Sequence, residues 1–463
     1  MKFRTTWILL AVFVVLLAVV YLLEFRGSTQ ESEEEKLVSL SSDDVEKIVF
    51  KTGEETLTFE KKGEDWMMTS PLEAKADRYE VNRLAEDFAD LAIQRVVEET
   101  PADLEKYGIP EKEVLLYSKG DETPIRVLIG MENPLDQTFF AQREGETRVV
   151  LISSTLKSLL EKKAFDFREK NIFKFETDKA ETIRLKAKDI RWEADKQEDE
   201  WFLKKPVQAL ARKSKISDVL YALSNLKAKA FVSEDKTKAQ LREYGLEKPA
   251  YEVDVSLPSE NQKITFLIHK KDDKVFATTS MSPKIIEVAD SILTDLETKA
   301  SDLREKRVAE FFTWEVESVH VQSPEGQVLV SKDKEEGTWH FEDPEAGEPD
   351  EEKIQEFLRK MENLEADTFV DPPFSLEDYG LVPPTFDIRI GVKEDEEKTE
   401  EIIILVGKKE EKEPEKVYVK NDRLDYLFRV DASFLEHLPQ SADDWKKAKE
   451  EEKQEQRKEN EAS

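Results

Sequence analysis

Glu64-Asp65-Trp66-Met67-Met68-Thr69-Ser70-Pro71 is written twice more along the chain, as Asp199-Glu200-Trp201-Phe202-Leu203-Lys204-Lys205-Pro206 and Gly337-Thr338-Trp339-His340-Phe341-Glu342-Asp343-Pro344. Each time a Trp stands five residues ahead of a Pro. Roughly forty residues beyond each Trp comes Tyr-Gly followed by Ile or Leu, at Tyr107-Gly108-Ile109, Tyr244-Gly245-Leu246 and Tyr379-Gly380-Leu381. Other landmarks keep the same register: Ile129-Gly130, Ile268-His269 and Val406-Gly407, and Asp166-Phe167-Arg168-Glu169-Lys170 echoed by Asp302-Leu303-Arg304-Glu305-Lys306. Corresponding positions are offset by roughly 135–139 residues. A solenoid repeat is about 20–50 residues long, so this period is too long for one. It is the size of a small domain.

Each copy opens on the period-2 alternation of a half-buried strand. The apolar positions are Val45, Ile48 and Phe50, then Leu57 and Phe59, in copy one; Ile183 and Leu185, then Ile190 and Trp192, in copy two; and Val319 and Val321, then Val328 and Val330, in copy three. The Trp is expected to end a third strand, which the Pro stops because it cannot donate to a ladder. A helix should follow. Val81, Leu84, Ala85, Phe88, Leu91 and Ala92 share one face in copy one; Ile216, Val219, Leu220, Leu223 and Leu226 in copy two; Ile354, Phe357, Leu358, Met361 and Leu364 in copy three. Asp77 and Ser214 are the expected N-caps. Further strands fall at Val114–Tyr117, Arg126–Ile129 and Val149–Ile152, and a closing helix near Thr155–Phe165 completes the unit.

These patterns predict an α+β fold: three tandem copies of an antiparallel-sheet-plus-helices domain after one N-terminal transmembrane helix. The expected boundaries are an anchor at 1–25, an acidic linker at 26–44, repeat domains at 45–175, 176–312 and 313–440, and a charged tail at 441–463. The anchor rests on the apolar run from Trp7 to Leu23. Extended to about 21 residues it spans roughly 30 Å, the thickness of a hydrocarbon core. Lys2 and Arg4 precede the run, so the positive-inside rule leaves the N-terminus in the cytoplasm and the bulk of the chain on the far side, periplasmic and tethered to the inner membrane. The competing reading, a cleaved signal peptide, calls for a shorter apolar region and a small-x-small site. Here the run ends in Glu24-Phe25-Arg26.

The chain has no Cys, so neither a disulfide nor a lipid-modified cysteine is available. Its formal charge is −32, and it lacks the clustered basic surface that nucleic acid requires. His269, His320, His340 and His437 show no metal-ligand spacing. Ser154-Thr155-Leu156-Lys157 fits S-x-x-K and Lys51-Thr52-Gly53 fits K-T-G, the pattern of serine enzymes acting on cell-wall peptides. Their order is reversed and the S-D-N element is missing, so Ser154 and Thr155 read better as helix caps. No catalytic, cofactor-binding or metal-binding residue is assigned, no cofactor is expected, and the chain is not expected to be an enzyme. The repeated Trp residues read as core plugs.

The basic start Met1-Lys2-Phe3-Arg4-Thr5-Thr6, the single apolar run, the Asp65-Trp66, Glu200-Trp201 and Thr338-Trp339 segments and the three Tyr-Gly steps resemble the bacterial domain of unknown function 4340 family across residues 1–440. Members of that family often occur beside genes for ABC-type export systems. The resemblance therefore implies an envelope-side accessory role and brings no catalytic residues. The expected function is a membrane-anchored extracytoplasmic scaffolding or protein-interaction component, an accessory of an ABC-type transport system with envelope or transporter proteins as partners. A ligand-binding module holding a small molecule or glycan between domains is the alternative. A serine hydrolase built on Ser154 and Lys157 is the remote one.

Overall fold

The structure is a computed structural model and describes residues 35–447 apart from 54, 172, 334–335 and 394–397. The expected anchor at 1–25 lies outside the described residues. So do residues 26–34 of the expected linker and the tail beyond 447. Among the described residues no helix is long and apolar enough to cross a membrane.

Three antiparallel sheets follow one another, each built by the same route. In the first, β1 (Val45–Thr52), β2 (Glu55–Lys62), β3 (Asp65–Ser70) and β4 (Ala74–Lys75) form a meander. Helix α1 (Arg78–Ala89) and β5 (Arg95–Glu98) come next. A second meander then runs through β6 (Lys112–Ser118), β7 (Ile125–Glu132), β8 (Phe139–Arg143) and β9 (Val149–Ile152). The meanders join where β6 pairs with β1, and the strand order is β4-β3-β2-β1-β6-β7-β8-β9-β5. The helix thus carries the chain from one edge of the sheet to the other, where β5 closes against β9.

The second sheet repeats this with β10 (Thr182–Ala187), β11 (Arg191–Gln197), β12 (Glu200–Lys205), β13 (Ala209–Ala211), α2 (Lys213–Ser224), β14 (Ala230–Ser233), β15 (Tyr251–Leu257), β16 (Gln262–Lys271), β17 (Lys274–Thr279) and β18 (Ile285–Val288). The third uses β19 (Val316–Gln322), β20 (Gln327–Lys332), β21 (Trp339–Phe341), α3 (Glu351–Glu362), β22 (Ala366–Val370), β23 (Phe386–Lys393), β24 (Thr399–Lys409), β25 (Lys416–Asn421) and β26 (Leu427–Asp431). The sheets hold nine, nine and eight strands, against one twelve-residue helix apiece. The protein is therefore mainly β, with less helix than an even α+β mixture.

The alternation in the sequence sets the pairing. Ile48 opposes Phe59 and Leu116, Ile183 opposes Ala194 and Val255, and Val319 opposes Val330 and Ile390. A one-residue slip would turn all of these to solvent. The amphipathic helix of each repeat lays its apolar face into the same core: Val81, Leu84 and Phe88; Ile216, Leu220 and Leu223; Ile354, Phe357 and Met361. Trp66, Trp201 and Trp339 are 1, 3 and 5 % exposed and belong to the three cores, as their recurrence suggested.

Several local expectations are corrected. Each Trp opens its strand rather than ending it: Trp66 and Trp201 are second in β3 and β12, and Trp339 is first in β21. The apolar alternation runs on past the Trp, through Met68, Leu203 and Phe341, and holds the strand in the sheet. Asp77 caps α1 by accepting from the Tyr79 and Glu80 amides at 3.0 and 3.3 Å. Ser214 instead lies inside α2, whose N-cap position is Arg212. The closing helix is short, a 3-10 turn Ser154–Leu156 running into Lys157–Leu160.

Two stretches read from composition as linker and tail are partly folded. Leu37 and Val38 are fully buried in the first core, and the Leu37 amide donates to the Leu91 carbonyl at 2.7 Å. At the other end Trp445 is buried in the third core against Phe357. The Asp350 amide donates to the Trp445 carbonyl, as the Asp77 amide does to Phe167 and the Arg212 amide to Leu303. Asp444-Trp445-Lys446-Lys447 is thus the third copy of the Asp-x-Arg-Glu segment. The described residues form two compact units, one through Lys170 and one from Asn171 that holds the second and third sheets.

Candidate functional site: the joint between the second and third sheets

Within the second unit the segment Leu303–Val308 is hydrogen-bonded to both sheets. The Arg212 amide donates to the Leu303 carbonyl at 2.7 Å and the Glu305 amide to Leu210 at 2.9 Å, which ties the segment to the β13 end of the second sheet. The Ala366 amide donates to Lys306 at 2.7 Å and the Val308 amide to Leu364 at 2.9 Å, which ties it to the third repeat. Asn421 adds a side-chain bond to the Val308 carbonyl at 2.9 Å. Ala209 of β13 and Val308 both enter the core of the third repeat. A connection with its backbone groups satisfied on both sides and its side chains in a core is a packed joint rather than a free linker.

Arg304 sits at the centre of this joint and is 4 % exposed. Its Nη1 donates to Asp371 at 2.8 Å. Its guanidinium lies 3.8 Å from the centroid of the Phe369 ring and 4.5 Å from that of Tyr426, a geometry in which the ring faces stabilise the cation. Nε and Nη2 find no hydrogen-bond partner among the described residues. Burial pushes the Tyr426 phenol up to about 12, only partly offset by the Arg304 charge.

Beside the joint opens a cleft of about 320 Å³, lined by Glu200, Trp201, Arg212, Lys213, Glu305 and Arg307 among others. A hollow of about 160 Å³ shares Glu200 and Arg307 and extends to Asn421 and Arg423. Arg307 bridges Glu305 at 3.3 Å and Glu310 at 2.8 Å. Desolvation raises the Glu200 carboxyl above its ordinary range, and the Glu310 carboxylate adds to this. In α1 and α3 an Asp side chain caps the helix, whereas at α2 the cap position is Arg212 and no side chain accepts from the first turn. The Arg212–Lys213 end of this cleft is therefore its electropositive part.

The residues weighed for chemistry do not converge. Lys157 pairs with Glu132 at 2.8 Å, which raises its pKa, the opposite of what a general base next to Ser154 needs. Ser153, not Ser154, caps the turn through the Thr155 amide. Lys51 pairs with Glu113 at 3.0 Å. His340 meets Ser331 at 3.1 Å and His437 meets Glu356 at 3.3 Å, while His269 is packed against Gly245. Among the described residues no group of three or more His, Cys, Asp or Glu could hold a metal ion.

The Arg304–Asp371–Phe369–Tyr426 cluster escaped the sequence reading. Its one signal was the echoed Asp-x-Arg-Glu-Lys segment. Asp371, Phe369 and Tyr426 carry no repeat signature that would link them to it.

A chain of three antiparallel repeats, the last two fused through a buried arginine, is thereby defined as a repeat protein whose shared residues serve folding. It belongs to the family described as "Domain of unknown function (DUF4340)", which matches residues 66–241, 201–381 and 350–457. Each of the first two matches starts at a repeated Trp and runs through one repeat into the next, so the family unit spans a repeat junction. No curated protein matches the chain. Among solved structures the chain is similar to a DNA polymerase sliding clamp from Pseudomonas aeruginosa, at 7 % identity, 85 % of this chain, 93 % of that one and a TM-score of 0.15. A DNA polymerase III subunit beta from the same organism shows 7 % identity over 85 % of this chain and 95 % of that one, with a TM-score of 0.17. Likenesses this weak carry no argument about fold or function.

Proposed function

We propose that the protein is a membrane-anchored, extracytoplasmic scaffold that binds other envelope proteins and serves as an accessory of an ABC-type transport system. The carrying observation is the apolar run Trp7–Leu23 behind Lys2 and Arg4, which matches a spanning helix in length and in the charge order that sends the following chain outward. The fold supports a binding role: the recurring residues build cores, and the side chains weighed for catalysis are paired in ways that oppose it. The transport association follows from the family resemblance. Alkaline carbonate extraction of native membranes, followed by photo-crosslinking in cells, tests the reading. The full chain is expected to stay with the membrane and to crosslink to a polytopic transport protein. Release into the carbonate supernatant would contradict it.

The cleft beside Trp201 favours a second reading, a small ligand held between the second and third repeats with an anionic group at the Arg212–Lys213 end. A rise in the melting temperature of unit 2 with a di- or tricarboxylate, lost in Arg212→Ala, would support it.

A further inference from the structure

Phe312 and Trp314 are 49 and 68 % exposed, and their rings stack on each other with centroids 4.4 Å apart and planes 13° from parallel. Phe312 precedes and Trp314 lies within the 3-10 turn Thr313–Glu315 that leads into β19. The same turn precedes the first strand of the other two sheets, at Ser42–Asp44 and Thr177–Lys179. The positions matching Phe312 and Trp314 are Ser41 and Asp43 in the first repeat, and Glu176 and Asp178 in the second. The turn therefore forms with polar residues at both sites, and the fold does not require the rings. Exposing two large aromatic faces in one repeat alone carries a solvation cost that binding would offset.

The surroundings indicate what fits. The segment Phe311–Glu317 holds two carboxylates, Glu315 and Glu317, and no Lys or Arg, within a chain of net charge −32; Glu310 just ahead of it is bridged to Arg307. No cation among the described residues stands over either ring. An exposed aromatic face bordered by carboxylates attracts a cation by cation–π and Coulomb terms together. A second copy of the chain is a poor fit. Two partly exposed aromatic side chains offer at most about half of the ~800 Å² that each partner contributes to a stable interface. A short extended segment needs less area.

We propose that Phe312, Trp314 and Glu315 form a docking site for a short Lys- or Arg-bearing segment of a partner protein. This deepens the scaffold reading and rests on it for biological meaning, but its test does not depend on the compartment. Full-length protein in detergent is titrated with a fluorescein-labelled (Arg-Gly)4 peptide, with (Glu-Gly)4 and maltoheptaose as controls. The (Arg-Gly)4 peptide is expected to bind and to quench tryptophan emission. Trp314→Ala should weaken binding about three- to fivefold, the size of a surface cation–π contact. Phe312→Ser, which installs the residue of the first repeat, and Glu315→Gln should each weaken it as well. Glu46→Gln, an exposed carboxylate on β1, should leave it unchanged. Equal affinity in all variants would reveal non-specific attraction to an acidic protein and overturn the proposal, as would binding of maltoheptaose in place of the peptide. Failure here would leave the carbonate and crosslinking results standing.

Discussion

Gly130 and Gly407 show how a single residue fixes the Tyr-Gly turn. A Cβ on Gly130 would stand 2.1 Å from the Tyr107 carbonyl oxygen, and one on Gly407 2.3 Å from that of Tyr379. In the second repeat the matching residue is His269, and the turn is reached from a longer helix, Lys238–Glu243. There Gly245, at φ +77° as Gly108 and Gly380 are at +67° and +66°, leaves room for the imidazole: a Cβ on it would stand 2.2 Å from the His269 ring. Gly130→Ala should therefore destabilise the first unit by about 1–3 kcal/mol in urea unfolding, the usual cost of overpacking. A change below about 0.5 kcal/mol would show that the turn relaxes freely. Tyr426 gives a second residue-level expectation. Its folded pKa of about 12 lies above the ordinary phenol value, so its contribution is complete below pH 10 and is lost as the pH rises from 10 to 12. The loss should reach about 3 kcal/mol, and the part of the alkaline unfolding limb due to this group should vanish in Tyr426→Phe.

Among the elements, the Leu303–Val308 segment decides how the second and third sheets behave together. Removing Asp371 leaves a buried guanidinium without its carboxylate, whereas replacing Arg304 by Met keeps the stacking volume and removes the charge that needs a partner. Asp371→Ala should cost about 1–3 kcal/mol, reduced from the fully buried case because that carboxylate is partly exposed. Arg304→Met should cost less, and adding it to Asp371→Ala should restore most of the loss. Additive costs would mean that the pair is not coupled. This joint also marks the limit of what the sequence disclosed. Strands and helices were legible because Ile48, Ile183, Val319 and the helix faces repeat with a clear period. Leu37-Val38 and Trp445 were missed because they are isolated apolar residues in Glu- and Lys-rich surroundings, where average composition outweighs one or two anchors. The Arg304 cluster was missed because its members come together only when β22 and β26 pair. Phe312 and Trp314 stood out only once the turns could be superposed and their exposure seen.

For the whole molecule, three repeats built on one plan place the recurring apolar residues in the cores, and the proposed function rests on where the chain is held and what its unshared surface meets. The absence of Cys makes the placement directly measurable, because a single introduced thiol is the only one present. Tyr221 is 66 % exposed on α2, so Tyr221→Cys places a reactive group on the surface without disturbing a core. Cells carrying this full-length variant, with the outer envelope permeabilised and the inner membrane intact, are treated with a membrane-impermeant maleimide. An anchored, outward-facing chain predicts full labelling before lysis. Labelling only after the inner membrane is broken would place the repeats on the cytoplasmic side and contradict the account.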